Sequence, residues 1–139
     1  MHAQELLMKQ IEETGNMLFK ALDGVDESHY DYRVHESMMT IRDHVHHLCE
    51  SYVAFLAHAN GKEHSWGSYD LPDKSRANLM TEFVRLRKEA IDAIHGNAEA
   101  QILFSGAAYI ANHDAYHIGQ IAATRQAFDP EWTSYSLYS

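Results

Sequence analysis

Only two prolines and seven glycines interrupt 139 residues, and this scarcity of breakers constrains the fold more than any other feature. Long helices tolerate few interruptions, whereas a chain of many short strands needs turn residues every few positions. The charged side chains also recur at helical intervals, so the expected class is all-α. Hydrophobic residues make up 45% and charged residues 22%, far from a disordered composition, so the chain should fold on its own. Its length fits a single domain over residues 1–139 that buries roughly two thirds of its unfolded surface.

Four periodic stretches follow. In the first, Ala3, Leu7, Ile11, Leu18 and Leu22 recur at helical spacing opposite Glu5, Lys9, Glu12, Glu13 and Lys20, and Asp23-Gly24 ends it. Residues 25–38 have no clean period and read as a connection, with Tyr30 and Tyr32 covering a bundle end. Thr40 starts the second helix, Asp43 completes an approximate capping box, and the inward face reads Ile41, His44 or Val45, Leu48, Tyr52, Phe55 or Leu56 and Ala59. Residues 61–72 form a longer loop whose Trp66 and Tyr69 are too apolar for a spacer and are expected to fold over a bundle end.

The third helix begins near Asp73 or Ser75 and turns Leu79, Phe83, Leu86, Ala90 and Ile94 inward, with Glu82, Arg85, Arg87, Lys88 and Glu89 mostly outward. Gly96-Asn97 stops it. The fourth shows Ile102 or Leu103, Gly106, Ile110, His113, His117, Ile121 and Phe128 on one stripe. Residues 129–139 form an aromatic tail, with Trp132, Tyr135 and Tyr138, that packs on this molecule or a partner. Four helices with short to medium connections predict a four-helix bundle.

His113 and His117 are four apart, so their imidazoles share one helix face and can grip one small ion from the same side. A bundle interior brings the second helix against the fourth, which makes the second helix the source of a third ligand. Position favours His47 over His44 and leaves His44 open, while His46 points about 100° further round the helix. The other histidines, His2, His29, His35, His58, His64 and His95 among them, sit beside polar residues or near element ends and read as solvated or hydrogen-bonded imidazoles.

Charge and composition exclude other classes. A formal net charge of −9, from 20 acidic and 11 basic residues with no basic stripe, argues against nucleic acid. The longest apolar-rich stretch, near Ile102 to Ala111, falls short of the roughly 20 residues a membrane span needs. The opening Met-His-Ala-Gln-Glu-Leu lacks a signal-peptide layout, and the lone Cys49 cannot form an intrachain disulfide, so a cytoplasmic address is expected.

Two stretches carry a resemblance to a known family. Met39-Thr40-Ile41-Arg42-Asp43-His44-Val45-His46-His47-Leu48 resembles the second-helix pattern of the DinB superfamily, including its YfiT-like members, where a ligand histidine precedes a leucine. His113-Asp114-Ala115-Tyr116-His117-Ile118-Gly119-Gln120-Ile121 is similar to that family's closing signature on the fourth helix. The resemblance implies a four-helix bundle with crossover connections, a three-histidine metal site of His47, His113 and His117, and a homodimer. It also raises His47 well above His44.

Three neutral imidazoles leave coordination positions open to water or substrate, as in catalytic rather than structural metal sites. The expected function is therefore a metal-dependent enzyme acting on a small electrophilic substrate, as a thiol S-transferase or a hydrolase. Family members with assigned roles include transferases and isomerases that use bacillithiol or mycothiol, so a low-molecular-weight thiol is an implied cofactor beside a divalent zinc, nickel or iron ion. The alternative is a non-catalytic metal- or ligand-binding stress-response protein. Tyr116 and Gln120 are candidates to border the pocket, and Asp43 could orient an imidazole from behind, though core packing and helix capping are the simpler roles. No His-Glu-x-x-His supplies a metalloprotease base, no Glu-x-x-His pair supplies a di-iron centre, and Cys49 has no activating partner on its face.

Overall fold

The computed structural model describes residues 2–139. Among them the chain forms α1 (Ala3–Leu22), α2 (Ile41–Ala59), α3 (Arg76–Gly96) and a fourth rod built from α4 (Ala100–Gly106), a π-helical segment (Ala107–Asn112) and α5 (His113–Phe128). Short 3-10 turns occur at Glu27–His29 and Ser134–Tyr138, and no strand is present among the described residues.

The helix ends follow local chemistry. Thr40 and Asp43 form a reciprocal capping box, with Asp43 N donating to Thr40 Oγ1 at 3.1 Å and Thr40 N to Asp43 Oδ2 at 3.0 Å. Ser75, the helix-three cap, accepts from Asn78 N. Beyond the end of α1, Gly24 takes φ +80°, the left-handed conformation that favours glycine there.

Contacts along the rods give their directions. Leu7, Thr14 and Ala21 of α1 meet Gly106, Asp114 and Arg125 in turn, so α1 and the fourth rod are parallel. Gln4 bonds the Ile94 carbonyl while Phe19 packs edge-on against Phe83, so α3 is antiparallel to α1. Arg42 reaches the Lys74 carbonyl and Tyr52 meets Arg87, which makes α2 and α3 parallel. Two rods run up and two run down, and the consecutive α2 and α3 share a direction. Their connection must therefore return along the whole of α2, whose 19 residues span about 28 Å.

That return path corrects one expectation. Trp66 and Tyr69 do not cover a bundle end: their rings lie against His47 and His46, alongside α2. Tyr30 and Tyr32 do sit at an end, Tyr30 fully buried and Tyr32 against Phe128. In the tail, Leu137 is buried and Trp132 lies under the Arg125 guanidinium, which itself holds the Ala21 and Asp23 carbonyls at the end of α1. Tyr135 and Tyr138 stay exposed.

The core is the expected apolar set, including Ile11, Leu18, Ile41, Leu48, Tyr52, Phe55, Leu79, Phe83, Ile94, Ile110 and Ile121, all fully buried. Arg87, expected outward, is instead buried. Its guanidinium donates to Asp114 Oδ2 at 2.6 Å, to Tyr52 OH at 2.7 Å and to the Ile11 carbonyl at 2.6 Å. Asp114 accepts two more hydrogen bonds, from Tyr52 OH at 2.9 Å and Thr14 Oγ1 at 3.1 Å. One polar knot thus ties all four rods together. It is possible because residue 15 is glycine: a Cβ there would lie 2.9 Å from Arg87 Nη2.

Candidate metal centre

His47, His113 and His117 meet where α2 crosses the start of α5. His47 Nε2 lies 3.2 Å from His113 Nε2, and His117 Nε2 lies 3.1 Å from the same atom. One nitrogen from each ring falls within 4.8 Å of the others, which fits a group able to hold a metal ion. The fourth rod sets this geometry through its irregular middle. Backbone angles are helical at Gly106, Ala107, Asn112 and His113, but the π-helical hydrogen bonds of Ala107–Asn112 slow the winding immediately before the first histidine. As a result Ile110, Ala111, Asp114 and His117 share the buried side, and His113 sits half-buried at its edge. The single stripe through Gly106, Ile110 and His113 presumed an unbroken α-helix, and no cue to the π segment stands in the sequence.

Two rings of the cluster have defined partners on their far nitrogens. Ser51, one turn after His47, donates to the His47 carbonyl at 3.2 Å and so accepts from His113 Nδ1 at 3.1 Å. That hydrogen bond puts the His113 proton on Nδ1 and bares Nε2. His44, fully buried, places Nδ1 2.7 Å from His117 Nδ1. It thus stands behind the cluster. Ser51 was missed, although a hydroxyl at i+4 from a ligand histidine is a readable cue.

The electrostatics keep these imidazoles neutral. Burial pushes His113 down to about 4 and His117 to about 3, and the neighbouring rings add to the effect. Burial likewise takes His44 to about 4 and lowers His47. Neutral rings with bare nitrogens are the form in which histidine binds a metal. The donor set therefore fits a divalent ion of the kind imidazole suits, such as zinc, nickel, iron or copper.

Other candidates are placed differently. Asp43 is occupied by the capping box with Thr40. Tyr116 and Gln120 bond each other at 2.6 Å, and the Tyr116 ring packs edge-on against His117 at 5.1 Å while remaining exposed. His46 faces Tyr69, away from the cluster. Cys49 is buried, and desolvation pushes its thiol up to about 12, so it is not a nucleophile at neutral pH. Glu50 is buried and accepts from Gly67 N and from His64 at 3.2 Å, pinning the 61–72 loop to α2. That pin holds Trp66 5.8 Å from the His47 ring. A cavity of about 260 Å³ opens beside it, lined by Ala54, His58, Lys62, His64, Trp66 and Tyr109 among others.

An all-α bundle with three inward-facing histidines from two of its rods is the class these observations define. The chain belongs to the DinB superfamily, whose family model matches residues 10–121. Comparisons with curated proteins and with solved structures return no match. No helix among the described residues is long and apolar enough to cross a membrane.

Proposed function

We propose that His47, His113 and His117 hold a divalent metal ion through their Nε2 atoms, and that the protein is an enzyme acting on a small electrophilic substrate. The convergence of three neutral imidazoles carries this reading. Bare nitrogens at 3.1 to 3.2 Å repel one another unless a cation or a proton lies between them. When bound, such an ion supplies Lewis acidity and lowers the pKa of a coordinated water or thiol. Trp66 and Tyr116, both more than half exposed, rim the cluster beside His47 and His117 and offer flat apolar surface to an incoming substrate.

The thiol as attacking group follows from the family resemblance, and the nearby buried carboxylates are committed elsewhere. Glu50 is committed to Gly67 and His64, and Asp114 to Arg87, Tyr52 and Thr14. Neither is free to take a proton, so ionisation of a coordinated thiol or water rests on the Lewis acidity of the ion. The same engagement supports a second reading, a binding protein without turnover. Elemental analysis of protein purified without a nickel column tests the site: about one ion per chain is expected, falling below about a tenth in His113→Ala and unchanged in His46→Ala. Equal losses in both variants would overturn the assignment. Incubating metal-loaded protein with bacillithiol, mycothiol or glutathione and a panel of electrophiles tests the activity. Turnover no greater than in His117→Ala would leave the binding reading.

A further inference from the structure

We propose that His44 is a positioning residue for the metal centre, one that holds the proton of His117 on Nδ1 and so keeps Nε2 bare. The proposal rests on the metal-site reading above and adds a residue that reading does not need. His44 precedes His47 by three residues on α2 and is fully buried, with its Nδ1 2.7 Å from His117 Nδ1. At that distance one nitrogen donates and the other accepts, so the direction of the bond fixes both tautomers.

Two directions exist, and only one suits a metal. If His44 donates, His117 must carry its own proton on Nε2, the atom 3.1 Å from His113 Nε2. That proton fills the centre of the cluster with a hydrogen bond and blocks coordination. If His117 donates, its Nε2 is bare and joins the Nε2 atoms of His113 and His47. His113 is set the same way by Ser51, which accepts from its Nδ1. The two ligands from α5 are thus each backed by an acceptor from α2. Among the described residues His44 Nε2 has no hydrogen-bond partner, so this direction leaves its N–H buried and unpaired, and the bond to His117 is the one described contact its ring nitrogens make. A histidine kept for packing alone would be better replaced by an apolar side chain, because burying an imidazole with an unpaired nitrogen is costly.

The test compares zinc dissociation constants, measured by competition with a chromophoric chelator, for the wild type, His44→Leu and His44→Asn. Loss of an outer hydrogen-bond partner weakens metal binding by about 10- to 100-fold, the range expected for His44→Leu. His44→Asn returns an amide oxygen near the position of Nδ1 and should recover most of that loss. Nitrogen-15 NMR of the zinc-loaded wild type should show the His117 proton on Nδ1. Melting of the metal-free variants separates packing from tautomer control, since a packing role would not make asparagine better than leucine at binding zinc. Equal zinc affinity in wild type and His44→Leu, or coordination of zinc through His117 Nδ1, would overturn the proposal. If His44→Leu does not fold, the NMR measurement on the wild type decides it. A wild type that binds no zinc, nickel, iron or copper would sink the metal-site reading itself, which is a different failure.

Discussion

Asp114 and His113 are neighbours in sequence, yet the polar clusters they join are completed on opposite terms. Around Asp114 donors and acceptors match: Arg87, Tyr52 and Thr14 saturate the carboxylate, and the remaining guanidinium donors find the Ile11 carbonyl. Around His113 three imidazole nitrogens converge with no carboxylate or cationic side chain among them. His47, His113 and His117 turn their Nε2 atoms towards one another, and two of the three rings are only half-buried. A closed polar network specifies how helices pack. An open one can accept a cation, the role proposed above for His47, His113 and His117.

The largest expected effect breaks the closed cluster. Arg87→Met removes the cation from a buried pair and leaves Asp114 with two hydroxyl donors and no counter-charge. Breaking such a pair costs about 3 to 5 kcal/mol. Urea denaturation should show a loss of that size in metal-free protein, with the zinc affinity of the folded fraction changed far less. A loss below about 1 kcal/mol, the value of a surface ion pair, would mean the knot does not hold the rods together.

Much of this contrast was readable in the sequence, and the unreadable part has physical causes. The periodicity of Leu79, Phe83, Leu86, Ala90 and Ile94 placed α3 correctly, and the spacing of His113 and His117 put both on one side of a rod. Capping chemistry located Thr40, and of the two starts left open for the third helix, Asp73 or Ser75, the structure has Ser75 as the cap. Arg87 could not be read as buried, because its partner lies 27 positions away and its room comes from a glycine on a third helix. The π-helical turns before His113 leave no mark in composition. The path of the 61–72 loop follows from the parallel direction of α2 and α3, which no local signal encodes, and so Trp66 beside His47 was unforeseen. His44 was visible as an inward histidine, but whether it binds or backs a ligand depends on the rotation of α2 against α5.

Acid should separate the two clusters next. Burial lowers His44 to about 4 in the folded chain, while the unfolded value is about 6.5. The unfolded state therefore binds the extra proton between those values. Stability is fully present above pH 6.5 and is lost as the pH falls towards 4, by on the order of 3 kcal/mol from His44 alone. Asp114 works in the other direction. Burial raises its carboxyl despite Arg87, so protonation favours its folded form and it adds nothing to acid sensitivity. Denaturation of metal-free protein at pH 7 and pH 4.5 checks this; a flat profile would show that the imidazoles are not held neutral.

The smallest expected effect is the most informative about the open cluster. In metal-free protein His113→Leu removes one bare nitrogen from a crowd of three and replaces an imidazole by a side chain of similar volume. Ser51 loses a donor but keeps the His47 carbonyl as its acceptor, so no buried hydroxyl proton is left unpaired. The crowding among the remaining Nε2 atoms falls, and because His113 is neutral in both the folded and unfolded chain at pH 7, its lowered pKa neither adds nor removes stability there. Stability at pH 7 should therefore stay within about 1 kcal/mol of the wild type or rise, in contrast to the heavy loss at Arg87. A destabilisation as large as that of Arg87→Met would mean that His113 is a structural member of the core, and the division between a closed cluster for folding and an open one for binding would fail.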